Sequence, residues 1–319
     1  MHFFTTSSAF ALTAGAVLPC AMMAGSGPAR AEEPHFSFAM VTHAQPGDTF
    51  WDIIRKGANA AAKKDNVKLI YLADPTATKE AQLVTNVVQQ HVDGIALTLA
   101  FPDAERGAVK QAQAADIPIV GFNAGGDDWK KEGLLMYVGQ DEDIAGQAVG
   151  ERLNSEGAKS VVCVDQQQGA VQLEERCDGI KKTFKGALQV LYVTGYDMPT
   201  VKARMTAKLQ ENPNIDYIVT LGAPFAPTVL DAISAAGSKA KLGTFDLTPV
   251  AIGLIQDGKL QWAVDQQPFV EGYEAVDLLW LNKVNGDVVG GGRPILTGPA
   301  FVTKENAADV AKFAKAGTR

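Results

Sequence analysis

The chain has 319 residues, 46% of them hydrophobic, and a formal net charge of −7. That length buries one large or two medium cores, and the acid excess argues against nucleic acid or an anionic membrane as partner. The four histidines, His2, His35, His43 and His91, are scattered along the chain, so neither a metal site nor any other cofactor is expected.

The first element reads as a leader. Residues 10–24 are nearly all apolar or small but fall short of the ~20 needed to span a bilayer, and Ala29-Arg30-Ala31 supplies an A-x-A cleavage site before Glu32. Residues 1–31 are therefore expected to be a signal peptide, although only His2 stands in its n-region where Lys or Arg is usual. Cys20 follows Val17-Leu18-Pro19, which lacks the small residues of a lipoprotein processing site. A soluble, periplasmic mature chain is expected.

Beyond the leader, β-rich apolar runs alternate with amphipathic stretches. The pattern predicts strand 36–42, helix 50–64, strand 67–72, helix 78–91, strand 94–99, helix 103–115 and strand 117–123. It continues with helix 143–156, strand 160–165, helix 171–184, strand 190–194, helix 201–210 and strand 217–221. Helix 227–236, strands 241–245 and 262–265, and helix 270–284 follow. Alternation of this kind specifies parallel sheets with helices on both faces. Nine strands are many for one sheet, so two are expected.

Local signals mark several boundaries. Asp103, after Pro102, is placed to cap its helix, and Gly57 interrupts a helix face where close packing is expected. Gly157, Gly186 and Gly237 stand where helices should end, and Gly290-Gly291-Gly292 before Pro294 marks a late loop that suits a crossing between lobes. Cys163 and Cys177 lie on consecutive elements. They are either two buried thiols or a disulfide, and an oxidising compartment favours the bond.

Ligands of open α/β sheets bind beyond the carboxyl ends of the strands. Those ends carry His43 through Trp51 after the first strand, Asn123 after the fourth, Tyr196-Asp197 after the sixth, Asp246 after the eighth and Asp265-Gln266-Gln267 after the ninth. Carboxylates and amides suit a polyhydroxylated ligand, because each hydroxyl both donates and accepts. Phe50, Trp51 and Tyr196 are candidates to cover the C–H faces of a ring. Each residue also has a plainer role open to it: a core aromatic at Phe50 or Trp51, helix caps at Asp48 and Asp246, a turn at Asn123. Catalytic motifs are missing. Gly253 to Lys259 spells G-x-x-x-x-G-K, but Leu260 follows where Ser or Thr is needed, and the segment ends a helix and enters a strand, so it reads as a helix C-terminus and turn.

Several stretches, in this order, resemble the type I periplasmic sugar-binding proteins of ABC importers, the ribose- and galactose-binding proteins among them. They are Asp48-Thr-Phe-Trp-Asp through Gly57, Val92-Asp-Gly-Ile-Ala, Ile117 through Asn123, Tyr137-Val-Gly-Gln-Asp141, Glu175-Arg176, Thr244-Phe-Asp246 and Gly258 through Pro268. The resemblance covers essentially the whole mature chain. It implies two Rossmann-like lobes joined by a three-segment hinge, with 32–139 plus 267–292 in the N-terminal lobe and 140–266 plus 293–319 in the C-terminal lobe.

Carried over position by position, the resemblance implies ligand contacts from Asp48, Phe50 or Trp51, Asn123, Asp141, Arg176, Tyr196, Asp246 and Gln266. For Arg176 the plainer reading is a surface charge paired with Glu174 or Glu175. Two departures stand out. Leu221-Gly222-Ala223-Pro224-Phe225 replaces the family's Asn-Asp, so Gly222 offers backbone, and Ala124 replaces a cation after Asn123. The implied function is non-enzymatic: a monosaccharide or polyol is enclosed by hinge closure and delivered, by a monomer, to an ABC importer's membrane permease. The alternative is capture of a furanosyl signal such as autoinducer-2, or docking to a chemoreceptor. A repressor core would replace the export signal with a helix-turn-helix.

Overall fold

A strand buried on both faces reads as an unbroken apolar run, and a parallel pair needs a connection long enough for a helix. The computed structural model describes residues 2–5, 9 and 35–319; the apolar run of the leader and its cleavage site lie outside the described residues. In chain order β1 (Phe36–Thr42), α1 (Phe50–Lys64), β2 (Val67–Ala73), α2 (Ala77–Gln89), β3 (Gly94–Leu97), α3 (Pro102–Ala114), β4 (Ile119–Phe122) and β5 (Met136–Gly139) come first. Next are α4 (Glu142–Ser155), β6 (Ser160–Asp165), α5 (Val171–Thr183), β7 (Ala187–Tyr192), α6 (Met198–Glu211) and β8 (Tyr217–Thr220). Then come α7 (Ala226–Ala235), β9 (Lys241–Phe245), α8 (Pro249–Gln256) and β10 (Trp262–Asp265), and the chain ends with α9 (Pro268–Asn285), β11 (Ile295–Leu296), β12 (Ala300–Thr303) and α10 (Ala307–Ala316).

The strands form two six-stranded sheets, ordered β11-β5-β4-β3-β1-β2 and β12-β10-β9-β8-β6-β7. Every pairing is parallel except β12 against β10. The two orders correspond place for place, so β4 in one sheet is the counterpart of β9 in the other, and β5 of β10. The period-two alternation of β1 shows how each sheet is sandwiched. Phe38 and Met40 pack with Ile54 of α1 and Leu279 of α9, while Ala39 and Val41 pack with Val84 of α2 and Val109 of α3. In the second sheet Val161 and Cys163 face Val149 and Leu173, and Val162 and Val164 face Met205 and Val229.

Each lobe also has two helices in very close approach. A Cβ on Gly57 would lie 2.0 Å from the Phe269 carbonyl oxygen, and one on Gly272 2.0 Å from that of Ile54, so α1 and α9 touch backbone to backbone. Gly146 and Gly179 do the same for α4 and α5, where added Cβ atoms would meet the Arg176 and Asp143 carbonyls at 2.3 and 2.5 Å. Cys163 on β6 and Cys177 on α5 are joined by a disulfide. The Gly253–Lys259 segment closes α8 and turns at Gly258. No helix among the described residues is long and apolar enough to cross a membrane.

The structure departs from the sequence reading in four places. Asp103 caps nothing; it is exposed and pairs with Arg106 at 2.7 Å, while Glu105 accepts the Phe101 N–H at 2.9 Å in its stead. Strand β7 lies earlier than 190–194, because its register pairs Ala187 with Ser160 at the edge of the sheet. Strands β5, β11 and β12 were not anticipated; they are four residues long or shorter. Pairing of β11 with β5 keeps the chain on the first sheet through Leu296, so the last crossing comes after that residue and not at 292.

Gly57→Ala is expected to cost about 3 kcal/mol of stability, near the upper end for forcing a methyl into a packed contact. Gly107→Ala, on the exposed side of α3 where an added Cβ meets nothing, should add about 0.5–1 kcal/mol. Urea midpoints of the two variants against the parent check both.

Candidate ligand-binding cleft

The carboxyl ends of both sheets open onto one cleft, lined by residues from both. The first sheet contributes His43, Gln45, Asp48, Phe50 and Trp51 after β1 and Asn123 after β4; the second contributes Tyr196 after β7, Leu221, Gly222 and Pro224 after β8, Asp246 after β9 and Gln266 after β10. Gln166 and Gln167 after β6, with Gln172, Leu173 and Arg176 on α5, complete the wall.

Asn123 and Asp246 occupy corresponding places in the two sheets, and both have left-handed backbone, with φ of 64° and 66°. Asn and Asp tolerate that region best among residues with a Cβ. Each sends its N–H to the neighbouring strand, Asn123 to Val138 at 3.1 Å and Asp246 to Val264 at 2.8 Å. A chain of amides and carboxyls joins them. Asn123 Nδ2 donates to Glu271 Oε2 at 3.0 Å and to Gln266 Oε1 at 3.2 Å, and Gln266 Nε2 donates to Asp246 Oδ1 at 2.6 Å. Glu271 is held from behind by the Thr297 hydroxyl at 3.1 Å. Both amide hydrogens of Asn123 are thus spent, which leaves its carbonyl oxygen for a ligand.

Arg176 is buried, not a surface charge. Its Nε and one terminal nitrogen donate to the two oxygens of Glu142 at 2.7 and 2.6 Å, and its other terminal nitrogen donates to the Leu221 carbonyl at 3.0 Å. The Phe245 ring lies beneath the guanidinium at 4.7 Å. A bidentate pair of this kind fixes the plane of the guanidinium, and its unspent N–H groups remain for the cleft.

Phe50 and Trp51 both line the cleft and both belong to the core, with ring centroids 5.4 Å apart at 87°. Trp51 meets His43 edge-on at 4.8 Å. Across the cleft Tyr196 packs on Phe225 at 5.0 Å and faces the same space as Asp48. Asp48 accepts the Phe50 N–H at 3.0 Å, so it serves the start of α1 and the cleft together. The cap of α8 is Thr248, which bonds Ala251 at 3.0 Å and leaves Asp246 to the cleft.

Of the residues singled out from sequence, Asp48, Phe50, Trp51, Asn123, Arg176, Tyr196, Gly222, Asp246 and Gln266 come together here. Asp141 does not; its side chain accepts the Ile144 N–H at 2.9 Å and caps α4. Sequence reasoning missed Gln166, Gln167, Gln172 and Glu142. The two glutamines after β6 obey the strand-end rule and were open to it. Gln172 lies in the first turn of α5, and Glu142 opens α4 after β5, a strand that the apolar pattern does not mark.

Burial sets the charge of the site. It pushes Asp246 up to about 7 despite Arg176 and Gln266, and Glu271 up to about 8 despite Asn123. His43, wholly enclosed, is pushed down to about 3 by burial and then by Arg176, so it is neutral. The two carboxyls keep protons in the fold that the unfolded chain has released by pH 6.5, so the unfolded chain binds fewer protons and stability falls as pH rises. His43 acts in the opposite sense only between about 3 and 6.5. Ligand-free protein should therefore lose about 1–2 kcal/mol per carboxyl between pH 6.5 and 8, and Glu271→Gln should shrink the loss; urea midpoints at the two pH values measure it.

The profile of the periplasmic binding protein domain family matches residues 38–286. The ribose import binding protein of Bacillus subtilis is 28% identical over 85% of this chain and 89% of its own length. The structure of a carbohydrate transporter from Acidothermus cellulolyticus in complex with myo-inositol is 58% identical, superposes with a TM-score of 0.88 and covers 90% of this chain and 100% of that one. An ABC transporter solute binding protein of Burkholderia graminis, in complex with D-arabinose, is 28% identical with a TM-score of 0.75, over 86% and 97% of the two chains. The chain belongs to the periplasmic binding protein family, whose members are substrate-binding components of ABC transporters and not enzymes.

Proposed function

We propose that the ligand of this sugar-binding protein is a cyclitol of the myo-inositol type, enclosed between the lobes and passed to an ABC importer. The observation that carries the reading is the excess of hydrogen-bond acceptors in the cleft. The carbonyl oxygens of Gln166 and Gln172 are buried without a donor, Asn123 presents only its oxygen, and the Asp48 and Asp246 carboxyls stand beside them. A buried acceptor left without a donor costs about 1–3 kcal/mol, so a fitting ligand brings hydroxyl hydrogens to several sides at once. A ring with a hydroxyl on every carbon does this. A pyranose turns a ring oxygen, which has only lone pairs, to one of them. The 58% identical carbohydrate transporter in complex with myo-inositol supports the same choice, and the leader over residues 1–31 supports action after export.

Thermal unfolding against cyclitols, pentoses and hexoses tests the reading. Stabilisation by myo-inositol above every aldose is the expected result. Stabilisation by an aldose with no response to any cyclitol would overturn the ligand assignment and leave the family unaffected. Asp246→Ala should weaken calorimetric binding by about 1–3 kcal/mol, the cost of leaving a buried hydroxyl unpaired.

A further inference from the structure

His43 lines the cleft just past β1 and is buried between two aromatic rings, Trp51 of α1 edge-on at 4.8 Å and Phe101 edge-on at 6.5 Å. Both of its ring nitrogens are engaged. Nδ1 lies 2.9 Å from the hydroxyl oxygen of Thr98, just past β3, and Nε2 lies 2.9 Å from Gln172 Nε2 on α5. Burial and then Arg176 push the ring down to about 3, so it carries a single hydrogen, and its partners decide which nitrogen holds it.

Thr98 settles that choice. Its hydroxyl has one hydrogen, which goes to Glu80 Oε1 at 2.8 Å, and the same oxygen accepts the His43 backbone N–H at 3.0 Å. Toward the imidazole it can only accept, so the hydrogen sits on Nδ1 and Nε2 keeps its lone pair. A lone pair takes a donor, and Gln172 therefore turns its amide nitrogen to the ring. The Gln172 carbonyl oxygen, on the other branch of the same planar amide, is buried with no donor among the described residues. Were the hydrogen on Nε2, the amide would have to reverse, and the cleft wall would offer an NH2 group in place of an oxygen.

The bond from His43 to Gln172 runs from the first sheet's side of the cleft to the second's. Two more bonds hold the same segment there: Gln167 Nε2 donates to the Pro75 carbonyl at 2.8 Å, and the Val171 N–H donates to the Ala100 carbonyl at 3.1 Å. His43 and Thr98 are complete within the first lobe, whereas Gln172 reaches them only where the lobes meet. We propose that His43 is a positioning residue for specificity: its Nε2 acceptor fixes the Gln172 amide across the cleft with the oxygen toward the ligand, so that the site demands a hydroxyl hydrogen at that point. A site built around a buried group of this kind rejects an analogue that lacks the hydroxyl.

This role rests on the reading of the acceptor-rich cleft as the cyclitol site, and the experiment separates the two. By calorimetry His43→Phe, which keeps a ring and removes both nitrogens, should bind myo-inositol about tenfold more weakly, the order of one buried hydrogen bond. Gln172→Leu should do the same. The double variant should also lose only about tenfold, because both changes remove one interaction. Additive losses, about a hundredfold in the double variant, would overturn the proposal. Deoxyfluoro analogues of myo-inositol, in which fluorine replaces one hydroxyl and donates nothing, give a readout that a merely structural histidine does not move. The analogue whose penalty disappears in Gln172→Leu should lose its penalty in His43→Phe as well; a uniform loss against every analogue would overturn the assignment. Nitrogen-15 spectra of the imidazole need neither ligand nor variant, and wild type should show the His43 hydrogen on Nδ1. Hydrogen on Nε2 refutes the proposal whether or not myo-inositol binds, while hydrogen on Nδ1 without cyclitol binding upholds the histidine's role and overturns the cyclitol alone. Where His43→Phe does not fold, Gln172→Leu should move the His43 Nε2 resonance of the myo-inositol complex; an unmoved resonance refutes the contact.

Discussion

The chain of bonds from Glu271 through Asn123 and Gln266 to Asp246 is the constraint on which this cleft depends. It starts on α9 against the first sheet, passes the end of β10 where the chain crosses back, and ends on the second sheet. Each member spends polar capacity on its neighbour, and what remains unspent faces the cleft. The orientation of Asn123 and Asp246 is therefore settled before any ligand arrives, which lowers the ordering cost of binding.

Charge is arranged by the same economy of partners. Among the described residues that line the cleft, Arg176 is the one permanent cation, and Glu142 already takes two of its N–H groups. With one guanidinium among several enclosed carboxyls, burial raises Asp246 and Glu271 and keeps His43 neutral. An anionic ligand would bring charge into a cleft whose burial already disfavours ionised carboxyls, whereas a neutral polyol adds only hydroxyls.

Much of this was legible in the sequence because it follows from periodicity and from strand ends. The apolar runs at 36–42, 160–165, 241–245 and 262–265 coincide with β1, β6, β9 and β10, and Asn123, Asp246 and Gln266 stand at or just past the ends of apolar runs. The edge strands β11 and β12, and β5, which follows a long loop after β4, escaped. Asp141 and Asp103 show the converse limit. An acidic residue at a helix start looks the same whether it caps, pairs with a neighbour or faces a ligand, and only the fold says which. Glu142 was invisible for another reason: a buried carboxyl at a helix start reads as a solvent-facing one until its partner, Arg176 on α5, is known.

The left-handed backbone at Asn123 and Asp246 restricts how such a site can change. A residue there must accept positive φ as well as carry the right polar atoms, which leaves Asn, Asp and, with the side chain lost, Gly as the ready choices. Gln166 after β6, Gln172 on α5 and Gly222 after β8 carry no such restriction, since none of them has positive φ. A lineage exploring new ligands would thus keep a fixed pair at the middle of the cleft and vary its wall, so that diversification runs through the glutamines and the loop after β8 and leaves the hinge chain as common inheritance.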